Sequence, residues 1–374
     1  MSQTGTPSTS QQPSDPTPNQ SSGMLIALYM WADMRWTRLL GRLLGQLTAD
    51  PTMTPTMLVG RMQVEARRIT DTLGQRTPML LDTIEQSILR SMQAETRRTP
   101  PLPPAPPAIL PLPAPRPPFD PTIPLWQRAV EAIHTDLQTE LRDVRERILR
   151  QPNDLYKLVA AGAAVNAVTD NGHTITDAQR TMMRDLLTHG ITGFVDNAGR
   201  HWQLSSYVEM AVRTATMRAL NEAHIQVMTG IGVTLFTVPT HMHTCPLCHA
   251  WQGRILSLTP DPRADATIDQ ARAQGLWHPN CTHILTAWHE GDAKPPVSPW
   301  TERDQQLWES SQLQRSLESH IRTQKRILMA SSDPALRTQA RARIRAYQAR
   351  IRDLTGRTGL LRRRRREQSD LGLH

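Results

Sequence analysis

Two short segments concentrate the residues able to hold a metal: Cys245-Pro-Leu-Cys248 and His278-Pro-Asn-Cys281-Thr-His283. Thiolate and imidazole are ligands that zinc prefers, and a Cys-x-x-Cys turn can aim two sulfurs at one point. Pro279 keeps His278 out of helical geometry, so the second segment can turn back as a knuckle. Cys245, Cys248 and Cys281 supply three ligands, and His278 or His283 the fourth. His241, His243 and His249 crowd the same region as weaker candidates. A closed four-ligand set without a carboxylate points to structural zinc, not catalytic zinc. Buried unliganded thiols and a dithiol redox pair are the competing readings. That all three cysteines of the chain lie in these two segments favours zinc.

The second chemical feature is the run Arg362, Arg363, Arg364, Arg365 and Arg366, preceded by Arg337, Arg341, Arg343, Arg345, Arg350, Arg352 and Arg357. Guanidinium groups in such number displace condensed counterions from DNA and bind it without regard to sequence. A solvated charged face, or contact with an acidic protein, are the plainer readings. No aromatic residue interleaves the run, which disfavours stacking on single strands. Net charge follows the same asymmetry. Residues 301–374 hold 17 Lys/Arg and 8 Asp/Glu, the whole +9 of the chain, and residues 1–300 are neutral with 26 of each. Such an end seeks polyanions.

Catalytic motifs are missing. No His-x-Glu segment precedes Cys245 as a zinc deaminase requires, and His289-Glu290 follows it at the wrong spacing. There is no His-Glu-x-x-His helix, no Gly-x-Ser-x-Gly elbow and no phosphate-binding Gly-rich Lys loop. A cysteine protease built on Cys281 is the least supported reading. The expectation is a chain that is not an enzyme. The rival is a zinc-stabilised nucleic-acid-binding or nuclease module using the same cysteines and arginines.

The elements that must position these groups are mostly helical. Residues 1–22 are polar, with little charge or apolar bulk, and are expected to be disordered. Residues 23–98 read as a helical segment of two to four helices broken near Pro51, Pro55 and Pro78, with Leu25, Leu28, Trp36, Leu39, Leu43 and Leu47 on one face. Asp33, Arg35, Arg38 and Arg42 interrupt its apolar run, so no membrane span and no secretory signal are expected. Residues 99–124 form a proline-rich linker that contains 13 of the 30 prolines. Residues 125–300 hold the Cys/His cluster. They open on a helix with Trp126, Val130, Ile133, Leu137, Leu141, Val144 and Ile148 in steps of three and four. A helix start at Thr176, a turn at Gly190 and Gly193, and a helix from Ser205 to Met228 follow. Strands are expected over Val233 to Val238 and Arg254 to Leu258, joined through a turn at Gly253. Residues 301–374 form a basic helical tail. In it Leu313, Leu317, Ile321 and Leu328 make one stripe, Asp333-Pro334 starts a second helix, and Gly356 stops it. The two helices pair as a hairpin or with a partner. An odd cysteine count argues against a disulfide framework and for synthesis in a reducing cytoplasm. The fold class is mainly α, with long helices at both ends and a small α+β zinc-knuckle-like domain.

The central sequence resembles a known family. The stretch Gly190-Ile-Thr-Gly-Phe-Val-Asp-Asn-Ala-Gly-Arg200 runs into His201-Trp-Gln-Leu-Ser-Ser-Tyr-Val-Glu-Met-Ala-Val-Arg-Thr214. It continues with Gly232 to Val238, Cys245 to Ser257, His278 to His283, the segment around Arg315 to Arg326, and Gly359 to Gln368. This order is similar to the phage minor capsid proteins of the head-morphogenesis, Mu F-like type found in actinobacterial phages. The resemblance implies a structural virion component in the capsid interior, made in the host cytoplasm. Its implied partners are the portal protein and the major capsid protein. It assists head assembly and DNA packaging or delivery, with double-stranded DNA as a further partner of the basic tail. No catalytic residues are implied. Tyr207, Glu209, Arg213 and Thr214 lie in the strongest part of the match, with packing and salt bridging as their plain role and an interface as the sharper one.

Overall fold

The computed structural model describes residues 16–50, 55–98, 125–168, 194–195, 201–240, 244–331 and 333–369. The expectations for residues 1–15, for the linker at 99–124, for the helix start at Thr176 and for the turn at Gly190 and Gly193 lie outside the described residues.

Helix α1 spans Pro18–Ala49, so it begins earlier than expected from the first apolar residues. The reason is local. Thr17 and Gln20 form a capping box, with Pro18 in the first helical position where its missing N–H is no loss. Ser21 and Ser22, which sequence places in a disordered segment, are buried in its first turns. Helix α2 spans Pro55–Arg98 and α3 spans Leu125–Val168. Pro78, an expected break, instead lies inside α2; Pro152 lies inside α3. An interior proline costs about 3 kcal/mol. The apolar stripe of α2 continues across Pro78 without a change of face. Ile69 and Leu73 before it, and Leu81, Ile84 and Ile88 after it, are all buried. That shared burial outweighs the lost hydrogen bond.

After the short β1 (Phe194–Val195) and β2 (His201–Trp202), which pair antiparallel, α4 spans Leu204–Gly230. Helices α1 to α4 pack around one apolar core. Leu25, Tyr29, Trp36 and Leu40 come from α1, Leu141 and Ile148 from α3, and Val208 and Val212 from α4. The Tyr29 hydroxyl meets the Thr77 hydroxyl at 3.2 Å, and burial pushes its phenol up to about 12.

The C-terminal half of α4 also roofs a small α+β lobe, through Ile225 and Met228. Its strands are β3 (Leu235–Thr237), β4 (Ile255–Ser257), β5 (Ala266–Thr267) and β6 (Thr286–Ala287), in the order β5-β4-β3-β6. β3 is antiparallel to both β4 and β6, and β5 runs parallel to β4. Two short helices complete the lobe: α5 (Pro246–His249) and α6 (Ile268–Ala273). β3 and β4 are buried throughout, as their unbroken apolar runs predict. Gly253 turns the chain into β4 at φ +70°, and a Cβ there would lie 2.2 Å from a Val297 methyl group.

Helices α7 (Glu302–Ala330) and α8 (Pro334–Thr358) form a hairpin, one of the two pairings expected, closed by Leu317, Ile321 and Ile351. Asp333 caps α8 as predicted, its carboxylate accepting from the Ala335 N–H at 2.8 Å. Gly356 does not stop α8; the helix runs to Gly359, whose φ of 75° provides the left-handed cap. A 3₁₀ turn, Arg364–Glu367, follows.

The hairpin meets the bundle backbone to backbone. A Cβ on Gly41 in α1 would lie 2.1 Å from the Ala330 carbonyl oxygen and 2.5 Å from its Cα. Gly41→Ala is therefore expected to destabilise the protein by about 1–3 kcal/mol. Gly60 in α2 has nothing within 4 Å of such a Cβ, so Gly60→Ala is expected to stabilise by about 0.5–1 kcal/mol. Urea midpoints that move the same way for both substitutions would contradict this packing.

Candidate metal centre and arginine clamp

Cys245 is the N-cap of α5, and its sulfur accepts the Cys248 N–H at 3.3 Å. This single turn places both thiols of the Cys-x-x-Cys segment on one side. The second segment reverses at Asn280, which adopts φ 66°, with the Cys281 N–H donating to the His278 carbonyl at 2.9 Å. Asparagine tolerates that left-handed conformation better than most residues. Helix α4 holds the knuckle from behind. The Asn280 N–H donates to the Thr214 hydroxyl at 3.2 Å, and the Asn221 amide donates to the His283 carbonyl at 3.0 Å. The Trp277 indole N–H reaches the same carbonyl at 3.0 Å.

The five expected ligands come together as two overlapping groups of three, not as one four-ligand set. Cys245 Sγ lies 3.0 Å from His278 Nε2, Cys248 Sγ 3.6 Å from Cys281 Sγ, and Cys281 Sγ 3.4 Å from His283 Nδ1. Donor separations in a tetrahedral zinc site are about 3.3–3.8 Å, from bonds of about 2.3 Å to sulfur and about 2.0 Å to nitrogen. The donors form two triads that share Cys248: Cys245, Cys248 and His278, and Cys248, Cys281 and His283. Cys248 and Cys281 are buried, and Cys245 is partly exposed. No carboxylate enters either triad. His249 is turned away, bonded to the Ser298 carbonyl at 2.9 Å and edge-on to Trp300; His241 and His243 lie outside the described residues.

Outer contacts orient both imidazoles. His278 Nδ1 lies 2.9 Å from the Pro279 carbonyl, which fixes its proton there and leaves Nε2 to face sulfur. His283 Nε2 lies 3.2 Å from the Gln252 amide. Gln252 is buried, and sequence reasoning did not single it out. Its one local signal is a place in the Trp-Gln-Gly turn four residues after Cys248. The Cys248 thiol lies against both neighbouring sulfurs, 3.6 Å from that of Cys281. It pulls Cys245 down to about 4, helped by His278, and Cys281 to about 4, helped by His283. The two neighbouring sulfurs, with burial, push the Cys248 thiol up. The bond to Cys245 raises His278 to about 8. Thiolate is the metal-binding form of cysteine, so the arrangement can hold a divalent cation.

The arginine run is folded onto the protein. Arg362 makes a two-pronged pair with Glu367 at 2.6 and 2.8 Å, and Gln348 donates to the same carboxylate at 3.0 Å. Arg366 reaches the buried Glu318 at 3.0 Å and the buried Glu209 at 3.3 Å. Arg213 also pairs with Glu209, at 3.1 Å. Backbone carbonyls take part as well: Arg366 accepts from Arg322 at 2.7 Å, and Leu361 from Gln314 at 3.1 Å. Arg362 and Arg366 thus face inward, while Arg363, Arg364 and Arg365 are exposed. Glu209 and Arg213 have the salt-bridging role expected of them, and Thr214 supports the knuckle.

Residues 113–355 match the family described as Phage minor capsid protein 2. The chain belongs to that family. The matched region takes in α3, α4, the α+β lobe, α7 and nearly all of α8. Helices α1 and α2 and the arginine run lie outside it. A "Structural protein" of Lactococcus phage LL-H is 26% identical over 210 residues, covering 53% of this chain and 57% of that protein. The match therefore spans little more than half of that relative's length. No solved structure matches the chain. Family and relative together assign this minor capsid chain a phage structural role. Among the described residues, no helix is long and apolar enough to cross a membrane.

Proposed function

We propose that the chain is a component of the phage head interior that docks on the portal protein and the major capsid protein and assists head assembly and DNA packaging or delivery. It assembles in the host cytoplasm. Its α+β lobe holds a structural zinc on Cys245, Cys248, Cys281 and one of His278 and His283, and its C-terminal arginines lie against packaged double-stranded DNA. The observation that carries this reading is the family match over residues 113–355, joined to a basic excess confined to residues 301–374. In the same proposal residues 99–124 join, in sequence, an N-terminal helical segment to the minor capsid domain whose core it shares.

The test is co-expression with the cognate portal and major capsid proteins. Purified procapsids are expected to contain this chain, in fewer copies than the major capsid protein. Procapsids that assemble normally and lack it would remove the head-component reading. Metal-dependent nicking of plasmid DNA, abolished by His278→Ala or His283→Ala, would instead establish the nuclease.

A further inference from the structure

Arg213 and Arg366 meet on Glu209, and the charges of Arg315, Arg322 and Arg363 bear on the same place. Arg213 comes from α4, Arg315 and Arg322 from α7, and Arg363 and Arg366 from the segment after α8. Arg213 and Arg366 share one oxygen of Glu209, at 3.1 and 3.3 Å, and Arg366 reaches across to Glu318 at 3.0 Å. Arg322, only 5% exposed, lies beneath and donates to the Arg366 carbonyl. Among the described residues, no carboxylate lies within 4.0 Å of the Arg315, Arg322 or Arg363 guanidinium. The cluster therefore has three cations more than its two buried anions neutralise.

The crowding is felt electrostatically. Burial holds Arg322 down to about 10, with the Arg326 and Arg366 charges adding to it. Arg213 and Arg315 are also lowered, first by desolvation against neighbouring elements and then by the like charges of Arg366 and Arg363. Arg213, Arg315 and Arg363 are nevertheless exposed, whereas Arg366 is half-buried and Arg322 buried. Planar guanidinium groups of this kind match phosphate oxygens in pairs. A phosphodiester seated on these three would supply the missing negative charge in place of dissolved anions.

We propose that this composite cluster is a phosphate-binding site, that its ligand is the backbone of double-stranded DNA, and that Arg213, Arg315 and Arg363 make the contact. The proposal rests on the DNA-contact reading above and refines it. The site is not the five-arginine run alone, because two of those side chains are engaged by Glu367, Glu318 and Glu209. It needs α4 and α7 as well.

The test compares the full chain with R315Q/R363Q, using a labelled duplex of about 30 base pairs over a range of salt. Neither side chain has a carboxylate partner among the described residues, so the variant is expected to keep the parent's melting temperature. Its DNA affinity should fall at least about tenfold near 0.1 M salt. The slope of log affinity against log salt should become shallower by about 2, one phosphate contact per arginine. R38Q/R42Q, which removes the same charge from α1, should leave the slope nearly unchanged. If the parent binds duplex and R315Q/R363Q keeps its slope, this site is overturned while the DNA reading survives through other arginines. If the parent itself fails to bind duplex, both fall. Inorganic phosphate separates the two sources of the ligand. A melting temperature that phosphate raises in the parent and not in the variant, with equal DNA slopes, would assign the site to free anion and overturn the DNA assignment.

Discussion

Cys248→Ser is expected to release the metal and to melt the α+β lobe, a loss of about 4 kcal/mol or more. The expectation follows from the position of this thiol. It belongs to both triads, whereas Cys245 and His278 serve one and Cys281 and His283 the other. Losing Cys245 or Cys281 leaves one triad whole; losing Cys248 leaves none. Cys248 is also 1% exposed and packs in the same apolar cluster as Phe236, Trp251 and Leu285. Once its ligands are gone, strands of two or three residues depend on that apolar cluster alone. Elemental analysis should find one zinc per chain in the parent and none in the variant. A chelator should lower the melting temperature of the parent and leave the variant unmoved. A parent purified with reductant, free of zinc and indifferent to chelator, would end the zinc reading.

The second large effect is expected at Arg326. Its guanidinium lies 2.8 Å from Asp33 of α1 and 2.6 Å from the Ser205 hydroxyl of α4, and it also bonds the Gln203 side chain. The pair is almost wholly removed from solvent, at 3% and 4% side-chain exposure. Taking away one member of a buried ion pair leaves the other charge without its main compensation, at a cost of about 3–5 kcal/mol. Arg326→Ala should therefore shift the urea midpoint further than any surface arginine substitution. Replacing both partners with apolar residues of similar volume, as in Arg326→Met with Asp33→Leu, should recover most of the loss. A single variant within about 1 kcal/mol of the parent would show that the pair contributes little to holding α1, α4 and α7 together.

How much of this was legible in the sequence depends on the range of the interaction. Val130, Leu137, Leu141, Val144 and Ile148 are all buried as their spacing requires, because helical periodicity is a local property. The strands at Leu235 and Ile255, the cap at Asp333 and the turn at Gly253 are local in the same sense. The metal-binding candidates could be grouped because thiols and imidazoles are scarce in this chain and their short spacings are distinctive. Pro78 misled because its local preference was overridden by burial on both sides of it. Gly356 misled because either of two glycines could have ended α8, and only the backbone conformation selects Gly359. The engagement of Arg366 by Glu209 and Glu318 left no sequence signal at all. A charge pair formed by residues far apart in the chain has no period and no motif. The arginine run therefore read as the DNA-facing end of a basic helical tail, although two of its members face inward.

The Asp33–Arg326 pair also sets a clock. Its partners are separated by 293 residues, so α1 cannot acquire this contact until the ribosome has released nearly the whole coding length. At about 5–20 residues per second, that wait is roughly 15–60 s. Through that interval α1 must wait for its arginine partner, and a chain terminated upstream of Arg326 would lack this tie between α1 and α7.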